Sequence, residues 1–256
     1  MKKIIVLKVG SAVLTENGNL ALDRLNNLVD FVAELKNTYE VILVSSGAVA
    51  SGYTLLKLDK KIIAKKQALA SIGQPLLMET YRKRFELHNI LCSQVLLEAS
   101  LFKDKVRLQH AKDTISELLS NNVVPIINEN DVTAIEELVF GDNDQLSAHV
   151  TNHFDSNLLV ILTDIDGYYD DNPKSNPNAK LQKHINTISK EELEASHSAN
   201  NEFATGGIVT KLKAASILLK VNKKMFLTSG FDLKDARNFL INGIHDKGTL
   251  FGATHE

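Results

Sequence analysis

An α/β fold, with a mainly parallel central sheet sandwiched between helices, follows from two observations along the chain. Short β-branched, apolar runs recur at "IIVLKV", "VILVSS", "ILCSQVLL", "VVPIIN", "LLVILT" and "KMFLTS", and longer segments with helical periodicity separate them. Strands that are apolar throughout, rather than alternating, are buried on both faces, as parallel strands covered by crossover helices are. The first linking segment shows the helical pattern: in "LDRLNNLVDFVAELKN" Leu22, Leu25, Leu28, Val29, Val32 and Leu35 form one apolar stripe. Leu212, Ala215 and Leu219 repeat it near the end. Ligands of such sheets gather at the carboxyl ends of the strands.

Composition narrows the function. The 256 residues, 44% of them hydrophobic, suffice for a sizeable core in one large domain or two intimately packed lobes. Net charge is −2, with no arginine-rich block and no aromatic-interleaved basic patch, so small molecules are expected as partners and nucleic acid is not. Cys92 is the single cysteine, which excludes an intramolecular disulfide or a cysteine metal cluster and reads as a buried structural thiol. The lysines before "IIVL" imitate a secretory leader, but Lys8 interrupts the apolar run. No segment reaches the roughly 18 continuous apolar residues of a membrane span, and a cytoplasmic protein is expected. "DDNPKSNPNAK", Asp170 to Lys180, reads as a surface excursion between two lobes.

The strand ends carry the chemistry. After the first strand, "LKVGSAVLT" places Lys8 beside Gly10 and Ser11, a tight turn whose exposed N–H groups suit an anion. After the second, "VSSGAVASG" offers Ser45, Ser46 and Gly47 at a strand-to-helix junction; a serine there either caps the helix or touches a ligand. "LTDIDGYYDDNP" brings Thr163 and Asp164 to the end of a later strand, with Tyr168 and Tyr169 packing either on a base or into the core. In "TGGIVTKLKAASILLK", Thr205, Gly206 and Gly207 open a helix that carries Lys211 one turn in, a pattern suited to a polyphosphate. No Walker A loop, dinucleotide-binding glycine loop or protein-kinase signature is present.

"VVPIINENDVTAIEELVFGDNDQLSAHV" is the densest polar stretch: Asn128, Glu129, Asn130, Asp131, Asp142, Asn143 and Asp144 exceed what turn chemistry needs. None of His88, His110, His149 and His153 has metal-ligand spacing backed by acids, and a structural or solvent-facing role is expected for them.

Read together, "KVGS", "SSGAVASG", "INENDVT", "FGDNDQLSA", "LTDIDGYY" and "TGGIVTK" resemble the amino acid kinase family, in order and through essentially the whole chain. "INEND" followed by "GDNDQLSA" is the most discriminating part. It is similar to the branch that phosphorylates the side-chain carboxylate of L-glutamate, the first step of proline biosynthesis. The departures are Ile208 where methionine is common and Tyr168 where leucine is common. Many such kinases continue into a C-terminal PUA module, so a short form is expected.

The resemblance implies one amino acid kinase domain over 1–256, with an amino-acid-binding lobe at about 1–162 and a nucleotide-binding lobe at about 163–256. It implies Lys8 and Lys211 on the transferring phosphoryl group and Asp144 as their organiser. Lys8, Gly10, Ser11, Thr163, Asp164 and Thr205, Gly206, Gly207, Ile208, Val209, Thr210 and Lys211 are implied for ATP, with Gly47 as a further backbone donor. Ser46, Asp131 and Asn143 are implied for L-glutamate. Asn128, Glu129 and Asn130 are expected to shape their loop rather than touch substrate. Mg2+ bridging the β- and γ-phosphates, proline as a feedback inhibitor and a homo-oligomer complete the expectation. The alternatives are a kinase for aspartate or acetylglutamate and a non-catalytic nucleotide-binding module of the same fold.

Overall fold

The computed structural model describes residues 2–134, 143–171, 173, 175–194 and 207–253. Six strands form where the apolar runs predict them: β1 (Lys3–Val9), β4 (Tyr39–Ser45), β5 (Cys92–Leu97), β6 (Val124–Glu129), β7 (Leu158–Thr163) and β9 (Lys224–Ser229). Two short strands, β8 (His184–Ile185) and β10 (Thr249–Phe251), extend the sheet, and β2 (Thr15–Glu16) pairs with β3 (Asn19–Leu20) in a separate hairpin. The eight-stranded order is β5-β6-β4-β1-β7-β9-β10-β8, parallel at every pairing except β10 with β9. This is the mainly parallel α/β sheet expected.

The helices are α1 (Ser11–Leu14), α2 (Leu22–Leu35), α3 (Ala48–Leu55), α4 (Ile63–Glu86), α5 (Lys105–Ser120), α6 (Asn143–His153), α7 (Lys190–Glu194), α8 (Gly207–Leu219) and α9 (Lys234–Arg237). They cover both faces. Because side chains alternate along a strand, Ile5, Leu7 and Val9 of β1 enter a core with α2 and α4, whereas Val6 enters a second core with α6 and α8. That parity also sends Lys8 toward α6 and α8. Leu25, Leu28, Val29, Val32 and Leu35 are buried as predicted, but Leu22 is 54% exposed. It stands in the first turn of α2, beyond the sheet's cover, and Phe31 fills the core instead.

Helices α3 and α4 meet backbone to backbone. A Cβ built on Gly73 would lie 1.8 Å from the Ala48 carbonyl oxygen and 2.3 Å from the Gly52 nitrogen; one on Gly52 would lie 1.9 Å from the Leu69 oxygen. Neither obstacle is a flexible side chain. Gly73→Ala must therefore separate the two helices, at a cost of roughly 1–3 kcal/mol, read as a lower urea midpoint with an unchanged slope. An unchanged midpoint would show that the pair is free to slide.

The Asp170–Lys180 excursion is closed at its base, where the Asp170 N–H donates to the Lys180 carbonyl at 3.1 Å and the Lys180 N–H to the Asp170 carboxylate at 2.7 Å. Among the described residues no helix is long and apolar enough to cross a membrane. Cys92 is half-buried on β5, and burial pushes its thiol up to about 11, which keeps it protonated and unreactive.

Candidate active site

Asp144 is the centre of a buried ionic cluster. It lies in the first turn of α6 with no measurable exposure, where a carboxylate also meets the positive end of the helix. Lys8 approaches one carboxylate oxygen from β1 at 2.6 Å, and Lys211 approaches the other from α8 at 3.2 Å. The Thr210 hydroxyl donates to the same oxygen as Lys211, at 2.9 Å. Lys8 and Lys211 are 1% and 5% exposed. Charges so buried are costly unless paired, and the shared carboxylate offsets part of that cost for both ammonium groups. Lys211 is steadied further by the Gly207 carbonyl at 2.9 Å, one turn back on its own helix.

The residues predicted around a phosphate converge on this cluster. A Cβ on Gly10 would be 3.7 Å from the Lys8 ammonium and 4.0 Å from the Thr163 hydroxyl, which places these three residues together at the ends of β1 and β7. One expectation is corrected. The Gly10 N–H does not face outward but donates to the Leu162 carbonyl at 2.9 Å, because β1 keeps its pairing with β7 to the last residue. The donors left at this turn are those of Ser11 and Ala12, which open α1. The Thr163 hydroxyl donates to exposed Asp164 at 3.0 Å. Ile208 and Val209 are buried under the start of α8 and act as its anchor, while Gly207 is exposed with open space where a side chain would be. Thr205, Gly206 and Asp142 lie outside the described residues.

Next to the lysine cluster is a pocket of about 320 Å3, lined by Ser46, Asp131 and Asn143 together with Ser11, Gly47 and Asn128. Gly47 has φ of 108°, a left-handed conformation that turns β4 into α3 and that glycine adopts without strain. Ser46 is not a helix cap, since α3 has no side-chain cap. Instead the Asn143 amide nitrogen is 3.3 Å from the Ser46 hydroxyl and donates to the Ser45 carbonyl at 3.0 Å and the Asn128 oxygen at 2.8 Å. The Asn128 nitrogen donates to Gln74 at 2.9 Å, and Gln74 donates to Gln94 at 2.9 Å.

This amide chain decides what Asn143 offers. With its nitrogen committed, its buried oxygen is left without a hydrogen-bond partner among the described residues. Asn143 is therefore an acceptor, suited to an ammonium group. Asp131, half-buried on the same wall, has the same preference. Asn128 both shapes its loop and lines the pocket, more than was expected of it. Gln74 was missed altogether, as were Lys60 and Lys66 on the pocket rim. Gln74 and Lys66 on a long helix, and Lys60 in the turn before it, have no local pattern that separates them from solvent-facing neighbours.

Other candidates fall into structural roles. The Tyr168 hydroxyl donates to Glu192 at 2.8 Å and its ring packs beside Phe251, while the Tyr169 hydroxyl donates to Asp166 at 3.0 Å. His149 and His153 stack on Phe102, with ring centroids 5.0 and 5.4 Å away, and burial holds both below the usual histidine range. His88 pairs with Asp30 at 2.7 Å.

The amino acid kinase family model matches residues 3–229, from the first residue of β1 to the last of β9. A protein of Leishmania donovani named glutamate 5-kinase is 54% identical over 249 residues, covering 97% of this chain and 95% of its own. A Wolinella succinogenes protein of the same name is 55% identical over 252 residues, with 96% and 97% covered. Among solved structures, UMP kinase from Ureaplasma parvum superposes with a TM-score of 0.67 at 17% identity, covering 99% of this chain and 100% of that one, a likeness of fold. The match runs through every strand end that builds the lysine cluster and the pocket, and the chain belongs to the amino acid kinase family.

Proposed function

We propose that this protein transfers the γ-phosphoryl group of ATP to the side-chain carboxylate of L-glutamate, giving L-glutamyl 5-phosphate and ADP, the first step of proline biosynthesis. The observation that carries the reading is the adjacency of two differently built half-sites on consecutive residues. Asp144 gathers two buried ammonium groups, and Asn143 lines a pocket with the acceptors an amino acid's ammonium requires. The two relatives named glutamate 5-kinase, each more than half identical over nearly their whole length, support the choice of acid.

In this reaction a carboxylate oxygen attacks the γ-phosphorus, the bond from that phosphorus to the β,γ-bridging oxygen breaks, and ADP leaves with the electron pair. The nucleophile is already ionised at neutral pH, since its pKa is about 4.3, so no general base is needed. The obstacle is repulsion between two anions. Lys8 and Lys211, held at fixed places by Asp144, act on the transferring oxygens without reorganising, which is how preorganised charge lowers a barrier of this kind. Ser46, Asp131 and Asn143 hold the amino acid so that its side chain points at that place.

Gly10, Ser11, Thr163, Asp164, Gly207 and Thr210 belong to the nucleotide half in this reading, as do Thr205 and Gly206, with Gly47 as a backbone donor. Among the described residues no three His, Cys, Asp or Glu side chains are grouped to cage a metal, and Asp144 is committed to two lysines. The residues present therefore fit Mg2+ brought by the triphosphate rather than held in a protein cage; when bound it would supply neutralisation of phosphate charge. The proposal also takes residues 1–162 as the amino-acid lobe and 163–256 as the nucleotide lobe. Proline as a feedback inhibitor and a homo-oligomer are proposed from the family resemblance, and a cytoplasmic location is proposed beside them.

ADP release with a panel of acids tests the reading. With ATP and Mg2+, L-glutamate should drive ADP release and form an acyl phosphate that hydroxylamine traps as a hydroxamate. Turnover with aspartate or acetylglutamate but not glutamate would reassign the acceptor, and no turnover with any acid would favour a nucleotide-binding module.

A further inference from the structure

Resting on the reading of the pocket as the amino-acid site, we infer that Lys66 is the specificity-determining cation that recognises the acceptor's α-carboxylate. The pocket must match a zwitterionic head whose two charges are two bonds apart. Its acceptors are accounted for by Asp131 and the Asn143 oxygen, both of which attract the ammonium and repel a carboxylate. The Asn143 nitrogen, the obvious amide donor, is engaged with Ser45 and Asn128. A carboxylate bound there needs a positive partner from elsewhere on the wall.

Two lysines line the pocket, Lys60 and Lys66. Lys60 is exposed, and its ammonium lies 3.8 Å from the centre of the Tyr53 ring, a cation–π contact that occupies it. Lys66 is half-buried and takes part in no ion pair or side-chain hydrogen bond among the described residues. It sits in the first turn of α4, a helix with no acidic residue there, where a cation opposes the helix dipole and an anion is welcome. Nothing in folding rewards a lysine at that place.

Its position relative to Asp131 is fixed by the next residue. The Gln67 side chain donates to the Val132 carbonyl at 3.1 Å, tying the first turn of α4 to the loop that carries Asp131. Positive and negative groups are thereby held on facing elements of one pocket, the arrangement a bound α-amino acid head requires. Lys66 stands apart from the lysine cluster, since the two lysines on Asp144 come from β1 and α8.

The test compares L-glutamate with L-isoglutamine, in which the side-chain carboxylate is kept and the α-carboxylate is a neutral carboxamide. Wild-type protein should favour glutamate in kcat/KM by roughly 10- to 100-fold, the usual range for a hydrogen bond between charged groups. In Lys66→Ala the glutamate KM should rise by that factor with kcat nearly unchanged, and the preference should fall to within a few-fold. Lys66→Arg, which keeps the charge, should retain most of it. If Lys66→Ala leaves the glutamate-to-isoglutamine ratio at its wild-type value, the inference is wrong, whether or not both KM values rise together. If the wild-type protein releases no ADP with glutamate, the proposed function itself fails before any variant is compared.

Discussion

Asp144→Asn will lower stability by about 3–5 kcal/mol and abolish most phosphoryl transfer. The substitution keeps the shape of the side chain and removes only its charge. What remains is two ammonium groups, 1% and 5% exposed, facing each other across a neutral amide. The Asp144 carboxylate meets both, at 2.6 and 3.2 Å, so a single change weakens the compensation of each. Urea denaturation measures the loss. Adding Lys8→Met to Asp144→Asn takes away one of the two ammonium groups that lost this counter-charge and should recover part of the stability, with no recovery of activity, because the phosphoryl group then meets one lysine in place of two. Such non-additivity marks residues that share one ionic network. An Asp144→Asn protein as stable as wild type would mean that another anion balances these lysines.

Why the strands and the ionic centre could be read from the chain, and the pocket rim could not, has a physical basis. A strand buried on both faces is apolar through its centre, so parallel strands such as β1, β4 and β7 announce themselves in a few consecutive residues each. Lys8 stands out because it breaks such a run, and Asp144 and Lys211 because they lie in the first turns of helices, next to polar or glycine-rich motifs, in residue types that phosphate chemistry uses. β8 and β10, two and three residues long, carry too few side chains for any periodicity. Leu22 misled because an amphipathic stripe shows which face is apolar and not how far the sheet extends beneath it. Gln74 reaches Asn128 across 54 positions, and Lys66 joins Asp131 on the pocket wall across a similar span. Contacts of that span are set by packing, for which the local sequence has no signature.

Phosphoryl transfer and amino-acid capture should separate cleanly in two single substitutions. Lys211→Ala removes a charge aimed at oxygens whose negative charge is redistributed during transfer, and deleting one such preorganised contact typically costs roughly 10²–10³ in kcat. Its KM for glutamate should move little, because Lys211 is on α8, bonded to Asp144 and the Gly207 carbonyl, and is not among the residues lining the amino-acid pocket. Asp131→Ala acts on a group that carries the same charge before and during transfer. The counter-charge for the substrate ammonium is lost equally from ground and transition states, so the effect is a raised glutamate KM with kcat largely kept. The KM for ATP should stay near wild type in that protein. Circular dichroism and urea midpoints establish that both variants are folded, which matters most for Lys211→Ala, since it leaves Asp144 with one ammonium in place of two. Should Asp131→Ala lose kcat at an unchanged glutamate KM while Lys211→Ala raises that KM at an unchanged kcat, the two halves of the site have been assigned the wrong way round.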